Sequence, residues 1–152
     1  DSWELAEVAA WDAKLVLNDQ ELAVRWMAMA AERPGAPPEV KRVYGRWRDN
    51  IHGWTIEDSI AYWEGVVAQA TRKPDINLAT SHLYDSYVTL HRRRLDPLLA
   101  SVRQRTGRCP ESWQEVVEQG LLPEAPLDSL GNTYSIDRES CTLVARKRIR
   151  WD

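Results

Sequence analysis

From Trp3 to Leu90 the large apolar side chains recur at steps of three and four residues, and only short segments rich in Pro, Gly, Asn or Asp interrupt them. That is the period of a helix face and not of a strand, so this stretch can bury its apolar groups only as a series of amphipathic helices packed on one another. Leu5, Val8, Ala9, Leu15 and Val16 mark the face expected to be buried on a first helix over 3–17. Asn18 and Asp19 offer a cap for a second helix, whose stripe is Leu22, Ala23, Trp26, Met27 and Ala30. The segment Pro34-Gly35-Ala36-Pro37-Pro38 cannot continue a helix, because proline lacks the amide donor and clashes with the preceding turn. Pro38 suits the first turn of a third helix carrying Val40, Val43, Tyr44 and Trp47. Thr55 followed by Asp58 has the pattern of a capping box ahead of a fourth, with Ile56, Ile60, Trp63, Val66 and Val67. Asp75 is expected to cap a fifth, which bears Leu78, Ala79, Leu83, Tyr87 and Leu90.

The chain has 152 residues, enough for one compact domain or two small units, and no apolar run approaches the span of a bilayer. It begins at Asp1 with no signal-peptide pattern, so it reads as a mature or excised soluble piece, with room for a membrane anchor upstream. A net charge of −3 lacks the positive field on which non-specific nucleic-acid binding depends. The basic runs His91–Arg94 and Arg146–Arg150 read as solvated faces, so no nucleic-acid partner is expected.

Eight Trp, five Tyr and no Phe mean that every aromatic side chain carries a polar handle, which suits partly wet grooves and helix interfaces. Tyr44, Trp47, Trp54, Trp63 and Tyr84 are therefore the candidate partner-binding residues. The competing reading is that such residues simply fill helix–helix contacts. Chemistry is harder to place. The sequence has no phosphate-cradling glycine loop, His-Glu-x-x-His helix, Cys-x-x-Cys pair or nucleophile elbow. His82 and Asp85 share a helix face without a third group, and His52 and His91 sit at spacings unlike a metal site. No catalytic residue, cofactor or metal is assigned, and an enzyme is not expected.

The second and fourth helices can be superposed in sequence, with Ala23 on Ser59, Met27 on Trp63 and Ala30 on Val66. This small, large, small rhythm, with Tyr44-Gly45 in the preceding helix and Pro74 at the end, resembles the tetratricopeptide repeat. The resemblance covers about residues 3–92 and implies antiparallel helix hairpins stacked around a groove that binds proteins. Arg46 and Trp47 stand where that family has smaller residues.

Beyond Leu95 the pattern changes. Asp96-Pro97 either restarts a helix or lies within a kinked continuation, and Thr106-Gly107 stops it. Ser112 to Glu115 has the capping-box pattern before a short helix that Gly120 ends. A hairpin is expected from strands near 134–137 and 142–147. The order Gly107-Arg108-x-Pro110, Gly120-Leu121-Leu122, then Pro126-x-Asp128-x-x-Gly131-x-x-Tyr134 resembles the soluble region of type II secretion pseudopilins, over about 98–146. That family's apolar N-terminal helix and calcium loop have no counterpart, so no metal is carried over; the resemblance implies a bacterial cell-envelope setting. Cys109 and Cys141 flank this unit and form a candidate disulfide, which would imply an oxidising, extracytoplasmic compartment. Unbridged, they are two small buried apolar residues.

The expected fold is thus mainly α: tetratricopeptide-like hairpins over 1–95, then a small α+β unit over 96–152, a short helix plus a β-hairpin. The expected function is a non-catalytic scaffold or adaptor for a protein partner. The alternative is a permanent structural subunit of a larger envelope assembly, such as a secretion, pilus or electron-transfer complex.

Overall fold

Four of the helices begin where a side chain, of Ser2, Asp19, Thr55 or Ser112, accepts from an unpaired first-turn amide, and the helix that starts at Pro38 has no such cap. The structure, a computed structural model, describes residues 2–49 and 55–147. Its elements are α1 (Trp3–Leu15), α2 (Gln20–Ala31), α3 (Pro38–Arg48), α4 (Ile56–Gln69), α5 (Lys73–Thr106), α6 (Trp113–Glu118), β1 (Ser135–Asp137) and β2 (Thr142–Val144). The chain is mainly helical with one small antiparallel sheet, the fold class expected from its patterning. Asp19 Oδ1 accepts from the Leu22 amide at 2.9 Å. Thr55 and Asp58 form the full reciprocal box, with the Asp58 amide donating to Thr55 Oγ1 at 3.1 Å and the Thr55 amide to Asp58 Oδ2 at 2.9 Å. α5 starts two residues before the expected cap, so Asp75 lies in its first turn, where a carboxylate favours the positive end of the helix dipole.

Contacts divide the chain into two compact units, Asp1–Ala79 and Thr80–Asp152. Helix α5 passes from one to the other without a break at Leu95, and Pro97 lies inside it. Asp96 does not cap a new helix; its Oδ1 accepts from the Leu143 amide at 2.8 Å and ties β2 to α5.

In the first unit α1 packs on α2, and α2 on α3, around Ala6, Ala10, Met27, Ala30, Ala31 and Val40. The buried face of α1 is not the expected one. Ala6, Ala10 and Ala13 are inside, whereas Leu5, Val8, Leu15 and Val16 face solvent. Small residues at these steps let two helix backbones approach, and here close packing of Ala6 and Ala10 with Met27 and Ala30 outweighs the larger side chains one face away. A second close approach joins α3 to α4. A Cβ added at Gly45 would stand 2.5 Å from Trp63 Cζ2, so Gly45 is the space the Trp63 ring occupies.

The second unit folds around Leu99, Val102, Trp113, Val116, Tyr134 and Leu143. Gly107, Gly120 and Gly131 take positive φ at the ends of α5 and α6 and in the turn before β1, conformations that favour glycine. β1 and β2 pair with Ile136 opposite Leu143. Cys109 and Cys141 are bridged, their Cα atoms 5.6 Å apart. Asp128 organises the intervening turn: its carboxylate accepts from the Leu130 and Asn132 amides at 2.9 and 2.8 Å and from the Tyr84 hydroxyl at 3.1 Å.

Gly45→Ala is expected to lower stability by about 1–3 kcal/mol through overpacking. Gly65→Ala on α4, where an added Cβ meets nothing within 4 Å, should raise it by roughly 0.5–1 kcal/mol. Urea denaturation followed by circular dichroism reads both signs. Reducing Cys109–Cys141 should cost the second unit roughly 3–4 kcal/mol in the chain-entropy account, measured as the shift in denaturation midpoint with and without reductant.

Candidate functional site: a cleft in the helical unit

The stacking of α3 on α4 leaves a cleft on one side of the first unit, with a volume of about 1050 Å³. Its walls are the end of α2 with the Pro34–Ala36 loop, one side of α3 and of α4, and the start of α5 up to Ala79. The proline-rich loop forms part of its rim and ends α2, because proline cannot continue a helix from its interior. Apolar surface comes from Ala31, Ala61, Val66 and Leu78, and aromatic surface from Tyr44, Tyr62 and Trp63.

Arg48 is the electrostatic centre of this wall. It is only 2% exposed, with its guanidinium carbon 3.8 Å from the Tyr62 ring centre and 5.3 Å from that of Tyr44. An Asp49 carboxylate oxygen lies 4.0 Å away. Desolvation pulls the Arg48 pKa below its ordinary value, while Tyr44 and Asp49 push the other way. A guanidinium keeps its charge at any ordinary pH, so the cation is held in place by ring faces and a neighbouring carboxylate. The Tyr62 hydroxyl donates to the Lys41 carbonyl at 2.8 Å, and burial pushes its pKa up to about 12. Tyr44, Tyr62 and Trp63 meet edge to face, with ring centres 5.5 and 5.1 Å apart for the two successive pairs.

Of the aromatic residues singled out in the sequence, Tyr44 and Trp63 line this cleft. Trp63 is 2% exposed, so it forms the cleft's back wall more than its contact surface. Trp47 is half-buried elsewhere in the same unit, edge-on to Trp11 at 4.6 Å and under the Lys14 ammonium at 3.9 Å. Tyr84 belongs to the second unit and is buried against Asp128. Trp54 lies outside the described residues. Sequence reasoning missed Arg48 and Tyr62. Their spacing on consecutive helices carries no signal until Gly45 brings those helices together.

Among the described residues no group of three His, Cys, Asp or Glu gathers as a metal site would require. His82 and Asp85 stay on α5, and His91 bonds Tyr134, Nδ1 to hydroxyl, at 2.6 Å. No helix of the described residues is long and apolar enough to cross a membrane. Comparison with family models, with curated proteins and with solved structures finds no match to this chain.

Tyr62, Tyr84 and Tyr134 all have hydroxyls whose pKa burial raises from 10.0 to about 12. A raised value means stability that is complete below the unfolded pKa and lost as pH climbs through the folded one. The thermal midpoint is therefore expected to fall between pH 10 and pH 12, with tyrosinate absorbance rising in step with unfolding. Tyr62→Phe should flatten the part of that fall that belongs to the first unit.

Proposed function

We propose that this chain is a non-catalytic interaction module whose helical unit holds a segment of a partner polypeptide in the cleft between α3, α4 and the start of α5. The observation that carries this reading is the cleft itself: about 1050 Å³ of open groove, at the upper end of the range for small-molecule pockets, walled by apolar and aromatic groups around a fixed cation. A groove of that size suits the side chains of several consecutive residues. The tetratricopeptide-like reading is supported by consecutive helices packing in chain order and by Gly45 receiving the ring of Trp63. The pseudopilin-like reading of the second unit is supported by its turn glycines at positive φ and by the Asp128 turn before the hairpin. A bridge between Cys109 and Cys141 favours an oxidising setting outside the cytoplasm, and with it a partner in the cell envelope.

Gly65 provides the test, because it lines the groove and a Cβ added there meets nothing within 4 Å. A phage-displayed library of random peptides is selected against the whole chain, and the enriched peptides are titrated against the wild type and Gly65→Phe. An enriched set that loses about tenfold or more in affinity on Gly65→Phe, with the melting curve preserved, is the expected result. Selection that enriches nothing, or peptides indifferent to the blocked groove, would end the proposal.

A further inference from the structure

The outer face of α1 lies apart from the cleft and is built unlike an ordinary solvated helix surface. Leu5 is 71% exposed, Val8 58%, Leu15 72% and Val16 75%. On a helix these positions fall on one side, opposite the buried Ala6, Ala10 and Ala13, and form a stripe along the whole element. Scattered apolar residues on a surface need no explanation, but a contiguous stripe of this kind marks a contact surface. In the middle of the stripe stands Asp12, exposed, with Val8 one turn before it and Leu15 and Val16 one turn after. Among the described residues its carboxylate makes no ion pair. Lys14, the cation nearest in sequence, is turned onto the Trp47 ring.

This arrangement selects among occupants. A bilayer surface would have to desolvate Asp12 with nothing to neutralise it, and Glu4 in the first turn of the same helix adds repulsion from anionic headgroups. A second copy packed through the same face would bring acid against apolar surface or against its own like charge. An extended strand finds no edge here, since the α1 backbone bonds within the helix.

We infer that the outer face of α1 docks an amphipathic helix of another polypeptide that is apolar along the contact and carries one Arg or Lys at its centre, set to pair with Asp12. Leu5, Val8, Leu15 and Val16 supply the apolar ring that shields the pair from water, and the pair fixes the register of the partner helix along α1.

The test uses the whole chain and three synthetic helical peptides of about the length of α1, alike in their leucine stripe and differing only in a central Arg, Leu or Glu. The Arg peptide is expected to bind, with the Glu peptide about tenfold or more weaker. Asp12→Arg should invert that order, which a merely sticky surface could not do. Val8→Ser with Leu15→Ser should abolish binding and leave the melting curve in place, because neither side chain belongs to the protein's own core. Cleft-blocking Gly65→Phe should leave binding unchanged, so this surface and the cleft stand or fall separately. The inference is overturned if no peptide binds, or if binding ignores the central charge. Concentration-dependent doubling of the mass in light scattering, lost in the serine variant, would assign the face to a second copy instead. Sedimentation with phosphatidylglycerol vesicles, lost in the same variant, would assign it to a membrane.

Discussion

The helical unit depends on one substitution of volume for volume: the Trp63 indole fills the place where residue 45 would otherwise carry a side chain. Because Gly45 yields that space, α3 and α4 meet close enough for Tyr44, Tyr62 and Trp63 to pack edge to face. Arg48, one turn along α3, is thereby enclosed between ring faces rather than left in water. Ser59 on α4 adds a hydrogen bond to Asp49 at 2.6 Å, closing the same contact from the other side. The charge of Arg48 is tolerated in its buried position because the rings and Asp49 replace part of the hydration it gives up. The cleft wall is thus a by-product of how two helices come into contact.

What could be read in the sequence was what is decided locally. Asp19, the Thr55–Asp58 box and Gly120 act within three or four residues and do in the structure what their chemistry dictates, while Ser112 caps α6 without the expected return bond, because the Glu115 carboxylate accepts from the Glu111 amide and Arg108 instead. The hairpin strands also follow from features near at hand, whereas Cys109 and Cys141 lie 32 residues apart and the sequence left both a bridge and two separate buried side chains open. The face of α1 does not follow in this way, because burial is a property of two surfaces. Its alanines are inside since α2 offers Met27 and Ala30 to pack against, a fact about the partner helix that the period of α1 cannot reveal. Pro97 illustrates the same limit. Its local preference is to end a helix, yet Asp96 and Leu99 on either side are engaged by β2 and by the second core, and tertiary contacts keep the helix whole.

The candidate site shows a similar division. Tyr44 and Trp63 were visible as aromatic residues on helix stripes, but which of them faces a groove and which backs it is set by the α3–α4 contact. Tyr84 has the same composition signal and a different fate. It is buried with Asp128 in the second unit, where a hydroxyl satisfies a carboxylate that also holds two turn amides. An aromatic with a polar handle is as useful inside, where the handle completes a hydrogen-bond set, as it is in a wet interface. Composition alone cannot separate those uses.

The bridge between Cys109 and Cys141 spans 32 positions of chain, and within that loop Pro123 and Glu124 lie exposed between α6 and the turn before β1. A peptide bond cut there would leave both fragments covalently joined, the long helix still tethered to the hairpin that packs on it. In a compartment where proteases meet folded proteins, a nick at this point converts one chain into two without releasing either.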